Sequence, residues 1–247
     1  METILITGTT GLLGKEFVNH FLENEMKVLA VYRNQEKFDA MFEKNPNLIG
    51  ICVDLVQENS SDKIVESLEK ANIFPEYLVN VASGKESFNV SSEGFSERKD
   101  MMENYLINVV LPYELSFKLA NHQKTKLKKI INLSSMYGVI PYNPCLYDNP
   151  LTETPIQYSI TKAALIHLTK ELAIRFADKN ITVNCISYGG VEGRASEEFK
   201  EKLSKLTPLK RMMTPKETVK ALDFLISDNS SYMTGHNLVV DGGRTVW

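Results

Sequence analysis

Thr3-Ile-Leu-Ile-Thr-Gly-Thr-Thr-Gly-Leu-Leu-Gly14 (TILITGTTGLLG) decides how the rest of the chain is read. Thr3 to Thr7 is a short, continuous apolar run, the pattern of a strand buried on both faces of a parallel sheet. Gly8, Gly11 and Gly14 follow at once. An amphipathic helix then begins, with Phe17, Val18, Phe21 and Leu22 on one side. A strand, a glycine turn and a helix in that order form the first half of a βαβ unit, and the remaining chain repeats the alternation.

Lys27–Tyr32 (KVLAVY) is predicted as a second strand and Leu48–Val53 (LIGICV) as a third, with a helical stretch between them. Ser60–Asn72 reads as a helix, with Ile64, Val65, Leu68 and Ala71 on one side. Tyr77–Ala82 is a fourth strand, and a long helical region follows from Ser96 to His122, with Pro112 placed to kink it. Leu127–Leu133 is a fifth strand. Val139–Glu153 shows no periodicity and carries three prolines. Pro155 suits a first helical position with Thr154 as its cap, opening a helix to about Asp178. Ile181–Ile186 is a sixth strand, Ser196–Lys205 and Pro215–Ser227 are helices, and Leu238–Val240 is a seventh strand. Right-handed crossovers between such elements imply an α/β fold: one doubly wound, parallel, seven-stranded sheet with helices on both faces. With no repeat, linker or low-complexity segment, residues 1–247 are expected to form a single domain.

Composition narrows the function classes. A chain of 247 residues buries roughly three quarters of its unfolded surface, so its core needs no disulfide or metal. A net charge of -3 gives no electrostatic reason to expect nucleic acid or an anionic membrane surface. Cys52, Cys145 and Cys185 are odd in number and widely spaced, which reads as reduced thiols without a metal site. The four histidines are scattered too. No apolar run approaches the roughly 18 residues of a membrane span, and with a strand expected from Thr3 no signal peptide is expected. A cytoplasmic location is expected.

A glycine cluster between a first strand and a first helix lets the backbone approach a pyrophosphate. The helix N-terminus then offers free N–H groups and the positive end of its dipole. GxxGxxG by itself is weak, but its position after the first strand makes dinucleotide binding the expectation. The end of the second strand bears on the choice of nucleotide. A carboxylate there would hold ribose hydroxyls and repel a 2′-phosphate; the chain has Tyr32, Arg33 and Asn34 instead. Arg33 is suited to a charge-assisted phosphate contact. NADP is therefore the preferred cofactor and NAD the other option.

Tyr158-Ser-Ile-Thr-Lys162 carries the chemistry. Tyrosine and lysine four apart lie on one helix face. A nearby ammonium favours the phenolate and lets the phenol act as acid or base well below its usual pKa of about 10. Of ten tyrosines, Tyr158 alone has lysine at that spacing; taken alone, chance pairing explains it as well as catalysis does, and what precedes and follows the pair decides.

Several motifs in order make the chain resemble the short-chain dehydrogenase/reductase family over essentially its whole length. Thr7-Gly-Thr-Thr-Gly-Leu-Leu-Gly14 resembles the family's cofactor loop, placing Gly8, Thr10, Gly11, Leu12, Leu13 and Gly14 at the dinucleotide. Asp54-Leu55 matches its adenine-contacting aspartate. Asn80-Val-Ala-Ser83, with Val81 and Ala82, stands where Asn-Asn-Ala-Gly is usual. Asn108 falls on the helix asparagine of the catalytic tetrad. Ser134-Ser135 with Gly138 matches the serine motif, the register making Ser135 the catalytic one, and Tyr158 and Lys162 complete the set. Ile181-Thr-Val-Asn184 and Thr234-Gly-His-Asn-Leu-Val-Val-Asp-Gly-Gly243 resemble the last two strands of single-domain members.

The resemblance implies a proton exchanged between Tyr158 and the substrate oxygen while hydride passes to or from a nicotinamide. Lys162 would lower the tyrosine pKa and bind the nicotinamide ribose. Ser135 would hydrogen-bond the carbonyl oxygen, and Asn108 would hold a water for proton relay. Gly189 and Val191 are expected near the nicotinamide. A homodimer or homotetramer built through the two long helices is implied as well, with Leu106, Val110, Tyr113 and Phe117 as positions that serve either core or interface.

The departures are specific. The glycine spacing is that of the extended branch, not the TGxxxGxG of single-domain members. Ser135 and Tyr158 lie 23 positions apart, a longer gap than single-domain members show. The extra residues contain Tyr142 and Tyr147, and the pattern resembles extended members, many of which act on nucleotide sugars. Tyr188-Gly189 replaces the usual Pro-Gly, and Ser83 a glycine. Tyr142, Tyr147 and Tyr188 are candidate substrate contacts beside Ser135. The expected activity is interconversion of a secondary alcohol and a carbonyl on a small molecule, a sugar or nucleotide-sugar being favoured. An epimerase or dehydratase with tightly held cofactor, and a cofactor-binding scaffold without turnover, are the alternatives.

Overall fold

A computed structural model of the protein describes residues 1–193 and 195–247, the side chain of Lys85 excepted. Seven strands, β1 (Thr3–Thr7), β2 (Lys27–Tyr32), β3 (Leu48–Cys52), β4 (Tyr77–Asn80), β5 (Lys129–Ser135), β6 (Thr182–Tyr188) and β7 (Asn237–Val240), form one sheet. Their order is β3-β2-β1-β4-β5-β6-β7 and every pairing is parallel. Strand side chains alternate between two cores. Ile4, Ile6, Val28, Ala30 and Val79 face one, with helices α1 (Leu12–Glu23), α2 (Gln35–Met41) and α9 (Pro215–Ile226) supplying Phe17, Phe21, Phe38 and Leu222. Leu5, Leu29, Leu78 and Ile130 face the other, against Ile64 and Leu68 of α3 (Ser60–Ala71), Leu115 and Leu119 of α5 (Leu111–Asn121), and Leu172 and Phe176 of α7 (Ile156–Phe176). Burial on both faces is why these strands read as continuous apolar runs rather than as alternation.

Chain direction across the sheet reverses between β1 and β4. Crossovers from β1 run outward to β2 and β3, while β4 to β7 build on the other side. In an open parallel sheet the crevice at the C-terminal strand ends lies at that switch point. Thr7 Oγ1 holds its two lips together, accepting from the backbone N–H groups of Val81 (3.1 Å) and Ala82 (3.2 Å).

Several element boundaries differ from the sequence expectation. β5 and β6 end two residues later than expected, so Ser134 and Ser135 are strand residues paired with Ser187 and Tyr188. β3 and β4 stop early, at Cys52 and Asn80. The long helix expected over Ser96–His122 is divided into α4 (Arg98–Tyr105), a π-helical turn over Leu106–Val110, and α5. Pro112 has no N–H to close the i→i−4 bond onto the Asn108 carbonyl, and the Leu111 N–H instead reaches the carbonyl of Leu106, five residues back. Pro155 is the cap residue of α7, not its first helical residue, and Thr154 does not cap it: the Thr154 hydroxyl turns back to donate to the Pro150 carbonyl. The aperiodic insertion holds a 3₁₀ turn at Pro144–Leu146 and a single helical turn, α6 (Pro150–Glu153). It packs on α8 (Glu197–Lys205) through Leu146 and Leu203, with Lys202 Nζ 2.7 Å from Asp148 Oδ1. Among the described residues, no helix is long and apolar enough to cross a membrane.

Candidate active site

A cavity of about 750 Å³ opens at the switch point, within the range of small-molecule and cofactor sites. Its floor is the turn between β1 and α1, where Gly8, Thr10, Gly11, Leu12, Leu13 and Gly14 all line the wall. A Cβ on Gly14 would lie 2.3 Å from the Gly8 carbonyl oxygen, so only a glycine lets this turn close on itself. Thr9 is buried beneath it and its hydroxyl donates to the Val31 carbonyl at 3.0 Å, fixing the turn to the end of β2. The cavity's size and its backbone-lined floor fit a dinucleotide.

At one end stand Arg33, Asp54 and Leu55, as the sequence placed them, together with Lys37 and Glu86. Arg33 is not free: its guanidinium meets the Glu86 carboxylate in a two-pronged pair, Nη1 to Oε2 at 2.5 Å and Nη2 to Oε1. Asn34 faces away from the cavity and caps α2, its Oδ1 accepting from the Lys37 backbone N–H at 2.7 Å. Val81 and Ala82 line the middle, but Asn80 lies below them, donating through Nδ2 to Asn132 Oδ1 at 2.8 Å.

The other end gathers Ser135, Tyr158 and Lys162 from β5 and α7. Gly138 makes that meeting close: a Cβ there would fall 2.8 Å from the Lys162 carbonyl carbon. Ser134 Oγ donates to the Lys162 carbonyl at 2.9 Å, fastening α7 to β5. Lys162 is buried at 3% exposure, its Nζ donating to the Leu133 carbonyl at 2.7 Å and standing 5.8 Å from the centre of the Tyr158 ring. Burial brings the lysine pKa down to about 8. Burial also raises the Tyr158 phenol, opposed by its hydrogen bond with Ser135. Desolvation therefore sets the phenol in the free protein, where the lysine spacing predicted a lowered one.

Asn108 does not line the cavity. It lies in the π-helical turn, donating through Nδ2 to Asn104 Oδ1 (2.7 Å) and Thr161 Oγ1 (3.0 Å), while its own Oδ1 is buried without a partner among the described residues.

Tyr142 and Tyr147 do reach the cavity, and the insertion places them against Tyr137. The hydroxyls of Tyr137 and Tyr147 are 2.8 Å apart, and the rings of Tyr137 and Tyr142 are 4.1 Å apart. Burial pushes all three phenols up, Tyr147 to about 12. Tyr188 borders the cavity together with Gly189 and Val191, but its hydroxyl points into the core and donates to the Thr218 carbonyl of α9. Its hydroxyl is therefore taken by the fold. Phe88, edge-on to Tyr158 at 5.2 Å, and Tyr137 were not anticipated. Tyr137 was within reach of the sequence, two residues past Ser135 on the same turn. Phe88 and Glu86 sit in a loop with no periodicity to mark them.

The family model described as Enoyl-(Acyl carrier protein) reductase matches residues 10–245. Glucose 1-dehydrogenase 2 of Bacillus subtilis is 26% identical over 258 residues, covering 100% of this chain and 95% of that one. A short-chain dehydrogenase from Leptospira borgpetersenii with bound NAD+ superposes with a TM-score of 0.88 at 32% identity, over 99% of this chain and 92% of the other. ElxO with NADP bound gives 0.83 at 26% identity, over 100% and 99%. With the parallel sheet, the glycine turn and the Ser-Tyr-Lys cluster in place, the chain belongs to the short-chain dehydrogenase/reductase family of NAD(P)-dependent oxidoreductases.

Proposed function

We propose that the protein is an NADP-preferring oxidoreductase that interconverts a secondary alcohol and a carbonyl on a hydroxylated small molecule, a sugar or nucleotide-sugar. The observation that carries this is the convergence of Ser135, Tyr158 and Lys162 on one end of a dinucleotide-sized cavity. Bound nicotinamide supplies hydride exchange. Tyr158 gives its phenolic proton to the substrate oxygen in reduction and takes one back in oxidation, and Ser135 donates a hydrogen bond to that oxygen as charge develops. Lys162 steadies the phenolate and binds the nicotinamide ribose. Asn108, whose Oδ1 is buried without a partner among the described residues, holds the water through which Lys162 regains protons. Gly8 to Gly14 cradle the pyrophosphate, Asp54 takes the adenine and Arg33 the 2′-phosphate.

Three phenols within reach of Tyr158 present aromatic faces and hydroxyls together, which suits a hydroxylated ring better than an acyl chain. The relative named as a glucose dehydrogenase supports the same class. Exposed Tyr105 and Tyr113 beside the π-helical turn and exposed Ile156 and Ile160 on α7 support a homodimer or homotetramer through those helices. Thermal denaturation with NADPH, NADH or neither tests the cofactor assignment. A nucleotide at 100 times its Kd adds about 2.7 kcal/mol and a clear upward shift. NADPH is expected to stabilise more than NADH at equal concentration, and oxidation of NADPH by keto-sugars follows. No shift with either nucleotide sinks the reading.

Burying Lys162 has a cost measurable by pH. An unfolded lysine keeps its proton to about 10.5, and this one loses it near 8. The penalty is complete below pH 8 and fades as pH rises toward 10.5, where the unfolded chain also becomes neutral. Lys162→Met is therefore expected to be inactive yet more stable at pH 7 by roughly 1–3 kcal/mol, the lost hydrogen bond to Leu133 offsetting part of the gain. The advantage should shrink between pH 8 and 10.5 in melting curves. A variant less stable than the parent at pH 7 contradicts it.

A further inference from the structure

We infer that Glu86 is a specificity-determining residue for the cofactor: it competes with a 2′-phosphate for Arg33 and so restrains the preference for NADP. The inference rests on assigning the cavity to an NAD(P) dinucleotide. The end of β2 carries no carboxylate, yet the fold supplies one from the opposite lip. Arg33 follows β2, Glu86 lies in the loop after β4, and the two side chains meet fork to fork at the cavity wall.

The carboxylate is presented by an anchored turn. Ser87 Oγ donates to the Gly84 carbonyl at 2.8 Å, and Asn104 Nδ2 to the same carbonyl at 2.9 Å. Gln157 Nε2 donates to the Ser87 carbonyl at 2.7 Å. Ser87, Asn104 and Gln157 are all buried, so α4 and α7 hold the backbone on either side of Glu86. The ion pair itself is exposed, with side-chain exposures of 54% for Arg33 and 71% for Glu86. An exposed pair of this kind is weak enough to open. It is a competitor, not a lock.

A ribose 2′-hydroxyl brings no charge and leaves the pair intact. A 2′-phosphate must draw the guanidinium away and leave that carboxylate facing a dianion. Lys37 and Asp54, one cation and one anion, line the same end of the cavity, and Asp54 also acts on Arg33. Arg33 and Glu86 thus decide the local charge, and removing the Glu86 charge leaves one uncompensated cation for the phosphate.

The test is the dissociation constants of NADPH and NADH, by fluorescence titration at fixed ionic strength, for the parent, Glu86→Gln, Arg33→Ala and the double variant. Glu86→Gln should bind NADPH about two- to fivefold more tightly, with NADH unchanged. The gain should shrink at high salt and vanish when Arg33 is absent. Unchanged NADPH affinity, a parallel change for NADH, or an equal gain without Arg33 overturns the inference. If none of the four proteins binds either nucleotide, the cofactor assignment itself fails. That outcome is distinct, because the inference concerns only their ratio.

Discussion

Replacing Tyr158 by phenylalanine is expected to lower turnover by roughly 10²- to 10⁴-fold, the range that a positioned proton donor contributes. The substitution removes one oxygen. The ring keeps its edge contact with Phe88 at 5.2 Å and its place 5.8 Å from the Lys162 ammonium, so packing and charge around it are preserved. Stabilisation by NADPH should therefore survive while steady-state turnover collapses. Ser135 would still donate to the substrate oxygen, and a residual rate above background is expected from positioning alone. The lost rate should not return at any pH, because no phenol remains to titrate. A variant that turns over at near parental rate would remove Tyr158 from the chemistry and bring forward the reading of the chain as a cofactor-binding scaffold.

Gly14→Ala is the second large effect. The added methyl would lie 2.3 Å from the Gly8 carbonyl oxygen and 2.7 Å from the Thr9 Cα, both backbone atoms of the turn that floors the cavity. Backbone cannot step aside as a flexible side chain can, and Thr9 is tied to the Val31 carbonyl through both its N–H (3.2 Å) and its hydroxyl (3.0 Å). The turn must open. Overpacking of this kind costs about 1–3 kcal/mol, which corresponds to a roughly 5- to 150-fold loss of nucleotide affinity if expressed wholly in binding. Calorimetric titration with NADPH measures it, and circular dichroism shows whether the sheet persists. Unaltered affinity would mean that this turn does not approach the pyrophosphate.

The two effects differ in how readily sequence exposes their origin. Gly14 and Tyr158 are both legible because local geometry creates the signal: glycines between a strand and a helix, and a phenol one helical turn from an amine. The strands were equally legible, since burial on both faces writes itself as an apolar run. Their ends were not. Ser134 and Ser135 are polar, and only pairing with Ser187 and Tyr188 keeps them in the sheet. Pro112 announced a disturbance in the long helix, but its form, a π-helical turn with the Leu111 N–H on the Leu106 carbonyl, was not announced. Tyr188 looked available for substrate, yet the side chain is 3% exposed, with its hydroxyl on Thr218.

Sequence alone determined the doubly wound sheet and pointed to the glycine turn and the Tyr158–Lys162 pair, because each arises from neighbours within a few residues or from a repeating period; Ser135, 23 positions before Tyr158, came only from the resemblance to the family. Tertiary structure decided what depends on distant segments meeting. It placed Glu86 against Arg33, 53 positions away, and thereby put a carboxylate where the second strand has none. It gathered Tyr137, Tyr142 and Tyr147 around Tyr158, and turned Asn34 and Asn80 away from the cavity they were expected to line. Desolvation belongs to the same class. The lysine that spacing assigned to lowering the phenol is itself pushed down to about 8, and the phenol is raised, because both are enclosed by the folded chain.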